Sequence, residues 1–174
     1  MFHRARKVGP ALLVPLAWGF TVAVHAEAVT EHTMFIAHVV MTVLLAVFAV
    51  TGRAEMRDGL LNVWWTIIAV GFVVTLAGTV SFQVETAADV LAGGALFGWM
   101  VLPAVGFLYT GRLVSEGVRV YVVGTLGCVL GLTMYVSGLV LATDAAMLSG
   151  LVLVGVSQTA GILHAVLRFD VDAR

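Results

Sequence analysis

The sequence predicts an all-α fold: a six-helix transmembrane bundle with short loops, antiparallel neighbours and both termini cytoplasmic. Three observations predict it. The 174 residues are 61% hydrophobic and only 11% charged, with a mean hydropathy of +1.08. A water-soluble globule carries about 45–50% apolar and about 25% charged residues, so this chain lacks the side chains to cover a surface facing water. Six apolar stretches of membrane-crossing length follow one another, and every basic residue falls on the same side of them.

A hydrocarbon core of about 30 Å is crossed by roughly 20 helical residues. The segments that meet this are 9–25, 33–51, 60–83, 90–110, 119–141 and 145–167, which together make a single integral membrane domain over residues 1–174. The first follows the basic cluster Arg4, Arg6 and Lys7 and contains Pro15. The second and third are free of charge, and the third opens on Trp64 and Trp65. The fourth contains Pro103, the fifth starts at Arg119, and the sixth carries Ser157, Gln158 and Thr159 near its middle. Long Gly-rich apolar runs without period-2 alternation fit helices rather than a membrane barrel. The gaps between them are short, which sets neighbours side by side and antiparallel and leaves no room for a water-soluble domain.

Charge sets the orientation. Arg4, Arg6, Lys7, Arg53, Arg57, Arg112, Arg119, Arg168 and Arg174 are all nine basic residues, and all lie on one side; Glu27, Glu31, Glu85, Asp89 and Asp144 lie on the other. The positive-inside rule puts both termini in the cytoplasm of a cell membrane, and Trp64, Trp65, Tyr109 and Tyr121 then form an aromatic belt at the inner interface. A competing reading treats residues 1–26 as a secretory signal peptide, with Val24-His25-Ala26 as its cleavage site. The abundance of Arg over Lys and of Val, Ala and Gly over Ile suggests a GC-rich, prokaryotic genome.

Small residues predict where helices meet, because lipid-embedded helices associate by close packing and interhelical hydrogen bonds. Gly117, Gly124, Gly131 and Gly138 recur every seven residues along the fifth span, a period that keeps one stripe on a neighbour. Gly127 and Gly131 form a GxxxG, as do Gly94 and Gly98. They point to packing among helices four to six or to a seam with a second copy or another membrane subunit. The surroundings of Pro15 and Pro103 are alike, and so are Gly71…Ala77-Gly78 and Gly155…Ala160-Gly161, one residue out of register. Dividing the chain three plus three makes the halves inverted, as in many secondary transporters.

Few residues can carry chemistry. No charged side chain lies in the middle of a span, which argues against a carboxylate relay for protons or sodium. Ser157, Gln158, Thr159 and Thr133 are the deep polar residues, fit either for helix–helix hydrogen bonds or for lining the path of a small neutral solute. His25, His32 and His38 gather at the outer side beside Glu27 and Glu31, a combination that can hold a transition metal or haem, although none shows the i, i+3 or i+4 spacing of a ligand pair on one helix. No catalytic motif is present, so the expected function is non-enzymatic and cofactor-free: a small transporter or channel, or an intramembrane subunit of a larger complex. The alternative is a haem- or metal-binding electron-transfer subunit. The lone Cys128 can form no internal disulfide, and the near-neutral net charge of −1 gives no reason to expect a nucleic acid partner; the expected partners are the lipid bilayer, a second copy or other membrane subunits.

Overall fold

A computed structural model of the chain describes residues 2–171, with side chains from residue 12 to residue 168; Arg4, Arg6, Lys7 and Arg174 fall outside the described side chains. The fold is all-α: α1 (Phe2–His25), α2 (Glu31–Gly52), α3 (Gly59–Val80), a 3-10 turn at Glu85–Ala87, α4 (Ala88–Leu113), α5 (Val118–Val140) and α6 (Asp144–Val171). Five of the helices, α2 to α6, are long and apolar enough to cross a membrane, and the described apolar part of α1 is Leu12–His25. This is the architecture of a multi-pass membrane protein.

Helix ends differ from the apolar limits for local reasons. α2 begins two residues early, at Glu31, because Thr30 caps it by accepting the Thr33 backbone N–H at 3.3 Å. α3 stops at Val80, where the Ser81 hydroxyl donates to the Gly78 carbonyl at 2.7 Å and satisfies a group that no later turn would reach. α5 stops at Val140, and the left-handed Ala142 (φ 50°) with a Thr143 N–H bond back to the Gly138 carbonyl at 2.8 Å turns the chain so that only three residues separate it from α6. α4 and α6 both overrun the apolar stretch into polar sequence at their C-terminal ends.

The chain folds as two compact units. Val29–Leu113 form one; the segments up to Ala28 and from Val114 form the other. In the first, α3 packs on both α2 and α4. In the second, α6 packs on both α5 and α1. α1 therefore belongs with the C-terminal helices.

Two of the heptad glycines, Gly131 and Gly138, are set against α6. Gly124, Gly131 and Gly138 are buried, and the backbones touch where Gly131 meets Gly150: a methyl group on Gly131 would lie 2.7 Å from the Gly150 carbonyl oxygen, and one on Gly150 would lie 2.6 Å from that of Gly131. Gly127 likewise accepts Ser157 against its Cα, and Gly138 accepts Met147. The fourth-span GxxxG divides: Gly98 takes Val74 of α3, whereas Gly94 faces open space. Gly117 lies outside this seam, as the left-handed residue (φ 71°) preceding α5. Pro15 and Pro103 both lie inside continuous helices. Tyr121, in the first turn of α5, is buried against His164, with ring centroids 5.6 Å apart.

The seam makes a graded prediction. Gly150→Ala should cost about 1–3 kcal/mol, the usual penalty for overpacking a close contact, and lower the thermal midpoint in detergent. Gly94→Ala should leave the midpoint unchanged or raised, because Ala is the better helix former and meets nothing there.

Candidate functional site

The deep polar residues of α6 are distributed over three surroundings. Gln158 is 1% exposed. Its Oε1 accepts the indole N–H of Trp18 from α1 at 2.9 Å, and its side chain lies beside the buried Cys128 of α5. One amide thus bonds α1 and packs on α5. Gly155, one turn earlier, makes this possible: a methyl group there would lie 2.8 Å from Trp18 Cβ. Ser157 sits against Gly127 on the α5 side. Thr159 lines an apolar groove of about 480 Å³ along α1 and α6, together with Pro15, Trp18, Val22, Val152 and Val156. Thr133, on α5, is exposed and spends its hydroxyl on the Val129 carbonyl at 2.9 Å. Of the four expected lining residues, the structure therefore brings none into a common polar cavity; Gln158 is committed to protein partners, and Thr159 faces the groove.

The outer histidines each have their own partners. His25, at the end of α1, has both ring nitrogens engaged: Nδ1 with the Thr21 carbonyl at 3.0 Å and Nε2 with the Tyr135 hydroxyl of α5 at 2.9 Å. If the first bond fixes the proton on Nδ1, the Tyr135 O–H donates to the Nε2 lone pair that a metal would need. His32 is exposed in the first turn of α2. His38 bonds the Met34 carbonyl through Nδ1 at 3.0 Å and rests its ring on Gly78 and on Phe82. His25 belongs to one unit and His38 to the other. Among the described residues, no group of three His, Cys, Asp or Glu side chains is placed to hold a metal ion.

The unit containing α2, α3 and α4 holds its own polar contacts. Trp99 of α4 donates its indole N–H to Thr75 of α3 at 2.8 Å, and Thr75 is 4% exposed. Thr42 and Thr79 share a hydrogen bond at 2.8 Å. Nearer the basic side, Trp64 donates to Thr110, Trp65 donates to the Ala49 carbonyl, and Arg53 lies over the Trp65 ring at 5.3 Å. In the other unit, the Nε2 atom of His164 is buried without a hydrogen-bond partner and presses on Gly117, where both the positive φ and the ring exclude any side chain. Arg168 pairs with Glu116 at 2.7 Å, both of them exposed.

Sequence reasoning singled out Gln158 and His25 but not their partners Trp18 and Tyr135. The only signal available was the position of Trp18 in the middle of its span, away from the interface where tryptophan is usual.

A double-mutant cycle on Trp18→Phe and Gln158→Leu, read by thermal or denaturant unfolding in detergent, should give a coupling energy of about 0.6–1.7 kcal/mol, the range for interhelical hydrogen bonds in lipid. Coupling near zero would mean that the Gln158 amide is bound by something other than the indole.

No family model matches the chain, and neither a curated protein nor a solved structure matches it.

Proposed function

We propose that this protein is a non-enzymatic transporter of a small neutral solute, crossing the cell membrane six times with antiparallel neighbours and both termini cytoplasmic. The observation that carries the reading is the division into two three-helix units, each with its own packed core and each with a proline-bearing helix, α1 or α4, set against its central helix. Transporters move by rocking one packed bundle against another while the helices within each stay together, and separately cored units suit that motion. The absence of charged residues from the middle of every span favours a neutral solute. Antiparallel neighbours are supported by the α5–α6 seam, where residues 127, 131 and 138 meet 157, 150 and 147 in descending order. A membrane-crossing α1 is supported by its anchorage on α6 through Trp18.

Purified protein reconstituted alone into vesicles should speed the entry of at least one small neutral solute, such as urea or glycerol, several-fold over protein-free vesicles in stopped-flow light scattering. Equal rates across the panel would overturn the transport reading. An equimolar membrane partner retained in mild detergent would then identify the chain as a subunit of a larger complex.

A further inference from the structure

The apolar groove along α1 and α6 carries a polar group with nothing to bond. Among the described residues, every threonine of α1 to α6 except Thr159 takes part in a hydrogen bond through its hydroxyl. Most return it to the carbonyl one turn earlier, the usual resource of a threonine in a helix. Thr159 bonds nothing and lines the groove.

A second polar group is left open nearby. Pro15 also lines the groove, inside the continuous helix α1. Proline has no N–H, so the Ala11 carbonyl lacks the donor that a helix ordinarily places four residues on. Trp18 is set on Gly155 and Gln158. With α1 and α6 as antiparallel spans, Pro15 and Thr159 therefore fall toward the same, inner end of the groove. Unpaired polar groups in hydrocarbon are costly, because no water reaches them there.

We propose that the groove binds an uncharged lipid alcohol, a molecule with one terminal hydroxyl on a long hydrocarbon body. Its hydroxyl accepts the Thr159 O–H and donates to the Ala11 carbonyl, which a single hydroxyl can do at once. Its hydrocarbon body runs outward past Gly19 toward Val22 and Val152. The inference rests on reading α1 and α6 as membrane spans and is independent of what is transported.

Two further observations favour this occupant. The lining holds no charged side chain that would pair a phosphate or carboxylate, and its remaining members are Trp18 and small or aliphatic residues. The two groove glycines also differ in what they are for. Gly155 is filled by Trp18, whereas a methyl group on Gly19 would meet nothing within 4 Å. Glycine is unfavourable inside a helix, and the packing of the chain on itself does not require this one. Gly19 keeps the groove open. A phospholipid acyl chain would fill the same space but offer neither Thr159 nor Ala11 a partner.

Trp18 lines the groove and reports on its occupant. The protein, in phosphatidylcholine vesicles, is titrated with stearyl alcohol brominated at mid-chain, and separately with brominated octadecane and brominated stearate. The Trp18 signal is the part of the fluorescence that Trp18→Phe removes. It should be quenched saturably by the alcohol, at concentrations several-fold below those needed for the alkane or the carboxylate. Thr159→Val should weaken the alcohol several-fold and leave the alkane unchanged, and Gly19→Leu should abolish saturable quenching. The Thr159 hydroxyl has no protein partner, so Thr159→Val should leave the thermal midpoint unmoved and separate lost binding from lost fold. Equal quenching by alcohol and alkane, unchanged in Thr159→Val, would mean that any hydrocarbon chain fills the groove and would overturn the proposal. Tighter binding of stearate, saturable quenching that survives Gly19→Leu, or no saturable quenching at all would overturn it too. None of these outcomes bears on solute entry into vesicles, so the two readings fail separately.

Discussion

Helices surrounded by lipid gain nothing from hiding apolar surface on each other, since the chains they displace are as apolar as their own leucines. What holds such helices together is backbone approach at residues without side chains, and hydrogen bonds that have no water to compete with them. The rest of this structure depends on that constraint. Gly131 and Gly150 meet backbone to backbone, and the closeness of α5 and α6 there lets Ser157 rest on Gly127 and Met147 on Gly138. The same principle, with a tryptophan as the inserted group, joins α4 to α3 and α1 to α6.

Polar groups in such an interior have two uses, and here most are committed to one. Eight helical threonines, Thr42 and Thr110 among them, return their hydroxyls to a carbonyl four residues earlier, an internal satisfaction that lets a helix carry a polar residue into lipid without cost to its neighbours. Thr75, Thr110 and Gln158 accept indole N–H groups from another helix. Each acceptor is nearly inaccessible, so each bond fixes which helix lies beside which. The outer histidines follow the same economy: His25 is spent on Tyr135, and His38 packs its ring against a glycine.

The grouping of α1 with α5 and α6 has a consequence for how the chain assembles. α1 is the first helix available, yet its partners are the last two. Its unit is complete only with α5 and α6, which follow three other helices in the chain. Contacts of such long sequence separation are costly in loop-closure entropy, which the Trp18–Gln158 bond and the Gly155 approach must offset. Retention of the first helix is therefore needed for one unit to be complete.

The sequence by itself determined the solvent, the number of helices and most of their limits, because burial in a bilayer demands a long uninterrupted apolar run and 61% hydrophobic residues leave few other places for the chain to be. It also located the glycine stripe of α5, since a seven-residue period defines a face of a helix wherever its neighbour lies. Helix ends missed by two or three residues where a side chain took over a backbone group, at Thr30 and Ser81. Only the tertiary structure decided which face met which helix. Apolar helices present similar surfaces all round, so periodicity could not say that Gly155 serves α1 while Gly150 serves α5, that Gly94 meets nothing, or that Tyr121 turns inward to His164. The candidate site was legible in the same degree: Gln158 and His25 stood out as polar residues in an apolar chain, but whether an amide lines a path or binds an indole depends on a partner 140 residues away, and no local pattern records a contact at that separation.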